Sequence, residues 1–148
     1  MSDEILEKLA NAVMAGDEEA AKKAAQEAID AKIDPLDAIK KGLSKGMEVI
    51  GKKFANFEVF LPEVMLAADA MKAGIEVLKP HISADRISER SKGRVVIGTV
   101  YGDIHDIGKN LVATMLEVAR YEVHDLGNDV PPKKFLDKAR EVNANIIG

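Results

Sequence analysis

The 148-residue sequence has no cysteine. Disulfides, thiolate zinc sites and a cysteine nucleophile are therefore excluded. Long apolar runs are also missing. Hydrophobic residues make up 47% of the chain, but they fall in runs of a few residues, too short to span a bilayer. The first residues, Met1-Ser2-Asp3-Glu4, are acidic and carry no apolar signal-peptide core. No excess of positive charge exists either. Lys and Arg total 21 against 25 Asp and Glu, a net charge of −4, and the two signs alternate along the chain. That balance argues against a nucleic-acid surface. With no membrane segment and no cysteine, the expected location is the cytoplasm. What remains is 47% hydrophobic and 31% charged, the balance of a folded chain and too apolar for a disordered one. The length suits one ordinary domain or two small ones.

The composition shifts along the chain. Sixteen of 20 alanines lie in residues 1–93, whereas Val and Ile number 13 there and 13 again in the last 55 residues. Alanine favours helix and β-branched residues favour strand, so a helical part precedes a part with strands. Four helices fit the first. Ile5, Leu9 and Val13 repeat every four residues over Asp3–Ala15. Gly16 stops that helix, and Asp17 is placed to cap a second over Glu18–Ala31. Asp34-Pro35 opens a third with a cap and a first-turn proline. It carries one apolar stripe through Leu36, Ile39, Leu43, Met47, Ile50 and Phe54. Pro62 opens the fourth, with Val64, Ala68, Met71, Ile75 and Leu78 on one face, and Pro80 ends it. Four amphipathic helices with short connections predict a small antiparallel bundle over residues 1–85. The polar stretch Ser83–Gly93 reads as the connection, with the linker proper at 86–93.

From residue 94 the period changes. Arg94–Val100 is a short, nearly continuous apolar run, as expected of a buried parallel strand. Ile107–Arg120 follows as a helix with Leu111, Met115 and Val118 on one face. Tyr121–Leu126 is a second strand, Pro131-Pro132 starts another helix through Val142, and Ala144–Ile147 begins a third strand. The order β-α-β-α-β over 94–148 is the first half of a doubly wound parallel sheet. Such sheets bind ligands beyond the carboxyl ends of their strands.

The loop after the first strand reads Gly102-Asp103-Ile104-His105-Asp106-Ile107-Gly108-Lys109-Asn110. Gly102 and Gly108 permit tight turns and close approach of a ligand. Asp103 lies two residues before His105, within reach of its Nδ1 proton. Nε2 is then left with its lone pair, available to a metal or a proton. The competing reading is a capping or surface histidine, because so short a string recurs by chance. His81 suits a helix C-terminus, and His124 ends a strand near Asp125 and Asp129.

These segments resemble the corrinoid proteins of methyltransferase systems and the cobalamin-binding region of methionine synthase. Gly93–Asn110 is similar to that family's first strand and its D-x-H-x-x-G loop. Tyr121–Gly127 with Val130-Pro131 resembles its second strand and turn, Glu141–Gly148 the entry to its third strand, and Phe60–Val64 the start of its last cap helix. The resemblance implies an α + α/β chain, with a four-helix bundle cap followed by a partial Rossmann-like (flavodoxin-like) sheet holding three strands. It implies cobalamin, or another corrinoid, as cofactor. His105 would be the lower axial ligand of cobalt, replacing the benzimidazole tail, with Asp103 bonded to its other ring nitrogen. Gly102, Ile104, Asp106 and Gly108 would complete the loop that meets the cofactor. Phe54, Leu61 and Val64 would cover the methyl-bearing upper face, although bundle core is the plainer reading of those three. The implied function is a methyl-carrier subunit, not a complete enzyme alone. Partner methyltransferases would load and unload the methyl group, with neither nucleic acid nor membrane as partner.

The family's sheet has five strands, and its later half lines the nucleotide tail with a Ser-x-Leu and a Gly-Gly segment. Neither segment appears before Gly148. The expectation is a C-terminally truncated chain whose retention of the corrinoid is the open question, and whose sheet edge promotes self-association. Three alternatives remain at this point. A regulatory or sensory cobalamin module normally accompanies a DNA-binding helix, and no basic recognition helix is present. A fragment of a cobalamin-dependent mutase would need a catalytic barrel, for which 148 residues leave no room. A cofactor-free phosphate or metal binder would use the helix start at Gly108-Lys109.

Overall fold

The computed structural model describes residues 1–83 and 91–148. The chain divides into two compact units, Met1–Arg90 and Ser91–Gly148. Most of the linker expected at 86–93 lies outside the described residues.

The first unit is a helical bundle. Helix α1 spans Ser2–Ala15 and ends at Gly16, whose φ of 65° is left-handed. The Asp17 side chain accepts the Ala20 N–H at 2.9 Å and so starts α2, Glu18–Asp30. Asp34 caps α3, Pro35–Asp37, by accepting the Leu36 N–H at 2.8 Å. A π-helical turn, Ala38–Leu43, joins α3 to α4, Ser44–Ala55. The continuous stripe expected from Leu36 to Phe54 therefore contains a wide turn. Leu36, Ile39, Leu43, Met47 and Ile50 are nevertheless all buried, while Phe54 near the helix end is exposed. This segment packs closely on α1, because a Cβ at Gly46 would stand 2.4 Å from the Ala10 carbonyl oxygen. Helix α5, Leu61–Leu78, begins where the Glu63 carboxylate accepts the Phe60 N–H at 2.9 Å. It runs into a short 3₁₀ turn, Lys79–His81, at Pro80. Val64, Ala67, Ala68, Ala70, Met71 and Leu78 form its buried face. No described helix is long and apolar enough to cross a membrane.

The second unit is a three-layer α/β arrangement. Strand β1, Arg94–Ile97, is central, with β2, Glu122–Asp125, on one side and β3, Ile146–Ile147, on the other. Both pairings are parallel, with Val95 beside Val123 and Ile146. Strand β1 is covered on both faces, as its apolar run requires. Val95 and Ile97 pack with Ala113 of helix α6, Ile107–Val118. Val96 packs the other way, with Val130 and with Phe135 of helix α7, Pro132–Val142. One expectation needs correcting. Leu111 of α6 is exposed, and the face turned to the sheet runs through Ala113 and Leu116 instead.

Candidate functional site

The two helices of the second unit leave β1 and β2 toward opposite faces of the sheet, and the order β2-β1-β3 puts the change of direction beside β1. Parallel sheets open a crevice there, beyond the carboxyl ends of the strands. The loop after Ile97 occupies that position.

Its turn is built from backbone bonds and two carboxylates. Gly102 has φ 84°, a left-handed conformation suited to glycine. Its N–H donates to Asp129 Oδ1 at 2.8 Å, and the Asp129 N–H donates to the Asp103 carbonyl at 2.9 Å. Asp103 Oδ1 then accepts two bonds from His105, one from the backbone N–H at 2.9 Å and one from the ring Nδ1 at 2.7 Å. The backbone bond first, and the ring bond second, hold the Asp103 carboxyl below its ordinary pKa. An ionised carboxylate only accepts, so Nδ1 carries the ring proton and Nε2 keeps its lone pair. The His105 side chain is 93% exposed, and Nε2 has no protein partner among the described residues.

Around this donor the loop is open and apolar. A Cβ added at Gly102 or Gly108 would meet nothing within 4 Å. Val100, Tyr101, Ile104 and Ile107 are all exposed on the same segment. Asp106 stands at the N-cap of α6, where its carbonyl accepts the Asn110 N–H at 2.8 Å, but its side chain caps nothing.

The sequence reading missed the supporting roles of three groups. Thr99 is buried and its hydroxyl donates to the His105 carbonyl at 2.8 Å. Asp129, at φ 53°, ties the loop to the segment after β2. Lys109, only 9% exposed, donates to both carboxylate oxygens of Asp125 at 2.7 and 2.6 Å. Burial pushes the Asp125 carboxyl up, but bonds from Lys109 and from the Gly127 N–H outweigh this and leave it lowered. A lone hydroxyl at the end of an apolar strand was the available clue to Thr99. His124 is paired with Glu122 at 2.7 Å. Among the described residues no group of three or more His, Asp or Glu side chains is arranged to hold a bare metal ion.

Phe54, Leu61 and Val64 belong to the other unit. Phe54 is exposed near the end of α4, Leu61 is half-buried at the start of α5, and Val64 is fully buried. Between them Phe57, at φ 61°, and Phe60 are both exposed, two aromatics to which the reading of the sequence gave no site role.

A single neutral nitrogen donor, backed by a carboxylate and set among exposed apolar side chains, suits a large flat ligand with a metal at its centre. Two family models, each described as a B12 binding domain, match residues 5–79 and 93–148. The chain belongs to the B12-binding corrinoid proteins. Trimethylamine corrinoid protein 1 of Methanosarcina acetivorans is 48% identical over 145 residues, covering 98% of this chain and 67% of that protein. A corrinoid protein of Desulfitobacterium hafniense is 46% identical over 145 residues, covering 97% and 67%. Among solved structures, the methanol:cobalamin methyltransferase complex MtaBC from Methanosarcina barkeri matches with a TM-score of 0.90 at 38% identity, covering 98% of this chain and 55% of that one. This corrinoid protein thus spans about two thirds of the length of the curated relatives it matches. The helical unit and the three-stranded parallel sheet expected from the sequence are the two regions that the family models match.

Proposed function

We propose that this chain is the corrinoid-holding part of a methyl carrier, loaded and unloaded by partner methyltransferases. When bound, the corrinoid supplies a cobalt atom on which a methyl group travels between partners. The observation that carries the reading is the Asp103–His105 pair with its outward Nε2. His105 would hold the cobalt through Nε2. Asp103 keeps the proton on Nδ1 and raises the basicity of Nε2, the usual effect of a carboxylate behind a ligating imidazole. Gly102 and Gly108 leave room for close approach, while Ile104 and Asp106 border the loop. Phe54 and Leu61 would supply apolar cover for the methyl group of a bound corrinoid, with the buried Val64 supporting them within the helical unit. Residues 86–93 join the cap (1–85) to the corrinoid unit (94–148). The carrier works in the cytoplasm. Names such as trimethylamine corrinoid protein and methanol:cobalamin methyltransferase complex support small methylated compounds as the source of the methyl group.

The test is uptake of hydroxocobalamin. The protein is incubated with it and desalted, and the visible spectrum is recorded. The expected result is retained corrin absorption with an imidazole-ligated spectrum, which His105→Ala converts to an unligated one. An identical spectrum from His105→Ala would remove the ligand role from His105.

A further inference from the structure

We infer that Thr99 is a positioning residue for the His105 imidazole, its hydroxyl fixing the direction in which Nε2 points. The inference deepens the reading of His105 as a metal ligand and rests on it.

The His105 ring is almost wholly exposed, so packing does not hold it. Its bond to Asp103 joins residues two apart within one turn. Such a bond closes only while the turn keeps its shape, and it does not by itself hold that shape or set its orientation on the sheet. Orientation requires ties to something outside the turn. Asp129 supplies them at the beginning, through the Gly102 N–H and the Asp103 carbonyl. At the histidine itself the tie is the Thr99 hydroxyl, 2.8 Å from the His105 carbonyl.

Thr99 is well suited to act as a fixed point. Its N–H donates to the Gly127 carbonyl at 2.9 Å and its carbonyl accepts the Val130 N–H at 2.9 Å, so its backbone is held from the β2 side. Its side chain is buried and β-branched, which restricts χ1. A stiff donor on a pinned backbone transmits the position of the sheet to the carbonyl of the ligating residue. The His105 backbone is then held at both ends, its N–H by Asp103 and its C=O by Thr99. Groups behind a metal ligand orient it in this way in many sites.

The test compares the chain with Thr99→Val and Thr99→Ser. Long-range ¹H–¹⁵N spectra of the imidazole are recorded on cofactor-free protein above the ordinary histidine pKa of about 6.5. The original chain and Thr99→Ser are expected to hold the Nδ1–H tautomer. In Thr99→Val the ratio of Nδ1–H to Nε2–H falls roughly three- to tenfold, the factor that one net hydrogen bond provides. Amide signals away from the loop stay in place. Should Thr99→Val fold poorly, Thr99→Ala reads the same loss. In the second arm hydroxocobalamin is added, and Thr99→Val shows a smaller imidazole-ligated fraction that Thr99→Ser restores. An unchanged tautomer ratio in Thr99→Val, or a Thr99→Ser that behaves like it, overturns the inference. If the original chain takes up no hydroxocobalamin, the tautomer comparison alone decides whether Thr99 orients the ring.

Discussion

Lys109 sits in the first turn of α6, where a long cationic side chain would ordinarily reach into water. Instead it lies nearly covered, with both oxygens of Asp125 and the Asn110 side chain as acceptors. The pair ties the start of α6 to the end of β2, one residue after Gly108 and four after His105. Removing it in Lys109→Met should cost about 1–2 kcal/mol, the value of a charge-assisted bond discounted for the partial exposure of Asp125. Urea unfolding near pH 7 measures this. The pH dependence has a definite sign. The Asp125 carboxyl is lowered in the folded chain, from an unfolded value near 3.9. The pair therefore stabilises fully above about pH 3.9 and loses its contribution as pH falls through the folded value. Acid unfolding followed by circular dichroism should begin at higher pH in Lys109→Met. A midpoint equal to that of the original chain would show that Asp125 draws its stability elsewhere.

Elements were legible where apolar residues mark the buried face, and obscure where they do not. Leu36, Ile39, Leu43, Met47 and Ile50 announced their helix because each of them is buried. Capping residues Asp17 and Asp34 were equally readable, since their side chains bond the first-turn N–H groups. Helix α6 was misread for a physical reason. Its sheet-facing positions are Lys109, Ala113 and Leu116, spaced four and three apart, and the first is a lysine. The more conspicuous Ile107, Leu111 and Val112 are exposed. The π-helical turn at Ala38–Leu43 left no mark in the periodicity, since residues before and after it remain buried. Close packing of α4 on α1 likewise rests on a missing side chain. Gly46→Ala adds a Cβ 2.4 Å from the Ala10 carbonyl oxygen. Overpacking should cost about 1–3 kcal/mol and outweigh the gain of about 1 kcal/mol in helix propensity. A lowered urea midpoint is the expected result, and a raised one would show that the two helices separate easily.

For the whole molecule, the two-part architecture was the most legible feature, because composition and periodicity both change near residue 93. The hydrogen bonds that orient the loop were the least legible, since they join Thr99 to His105 and Gly102 to Asp129 without any repeating pattern. The unpacked His105 ring has its own consequence at this scale. Truncating a side chain that touches no core removes no buried area and only one solvent-exposed bond, to Asp103, so His105→Ala should leave the urea midpoint nearly unchanged. Equal denaturation curves for the two proteins would confirm it. Stability is thereby uncoupled from the proposed ligand residue, and the loop behaves as an exchangeable cassette. Methionine or glutamate at position 105 would present cobalt with a new donor on an unchanged scaffold, which makes the site a place where ligand chemistry is open to redesign without first rescuing the fold.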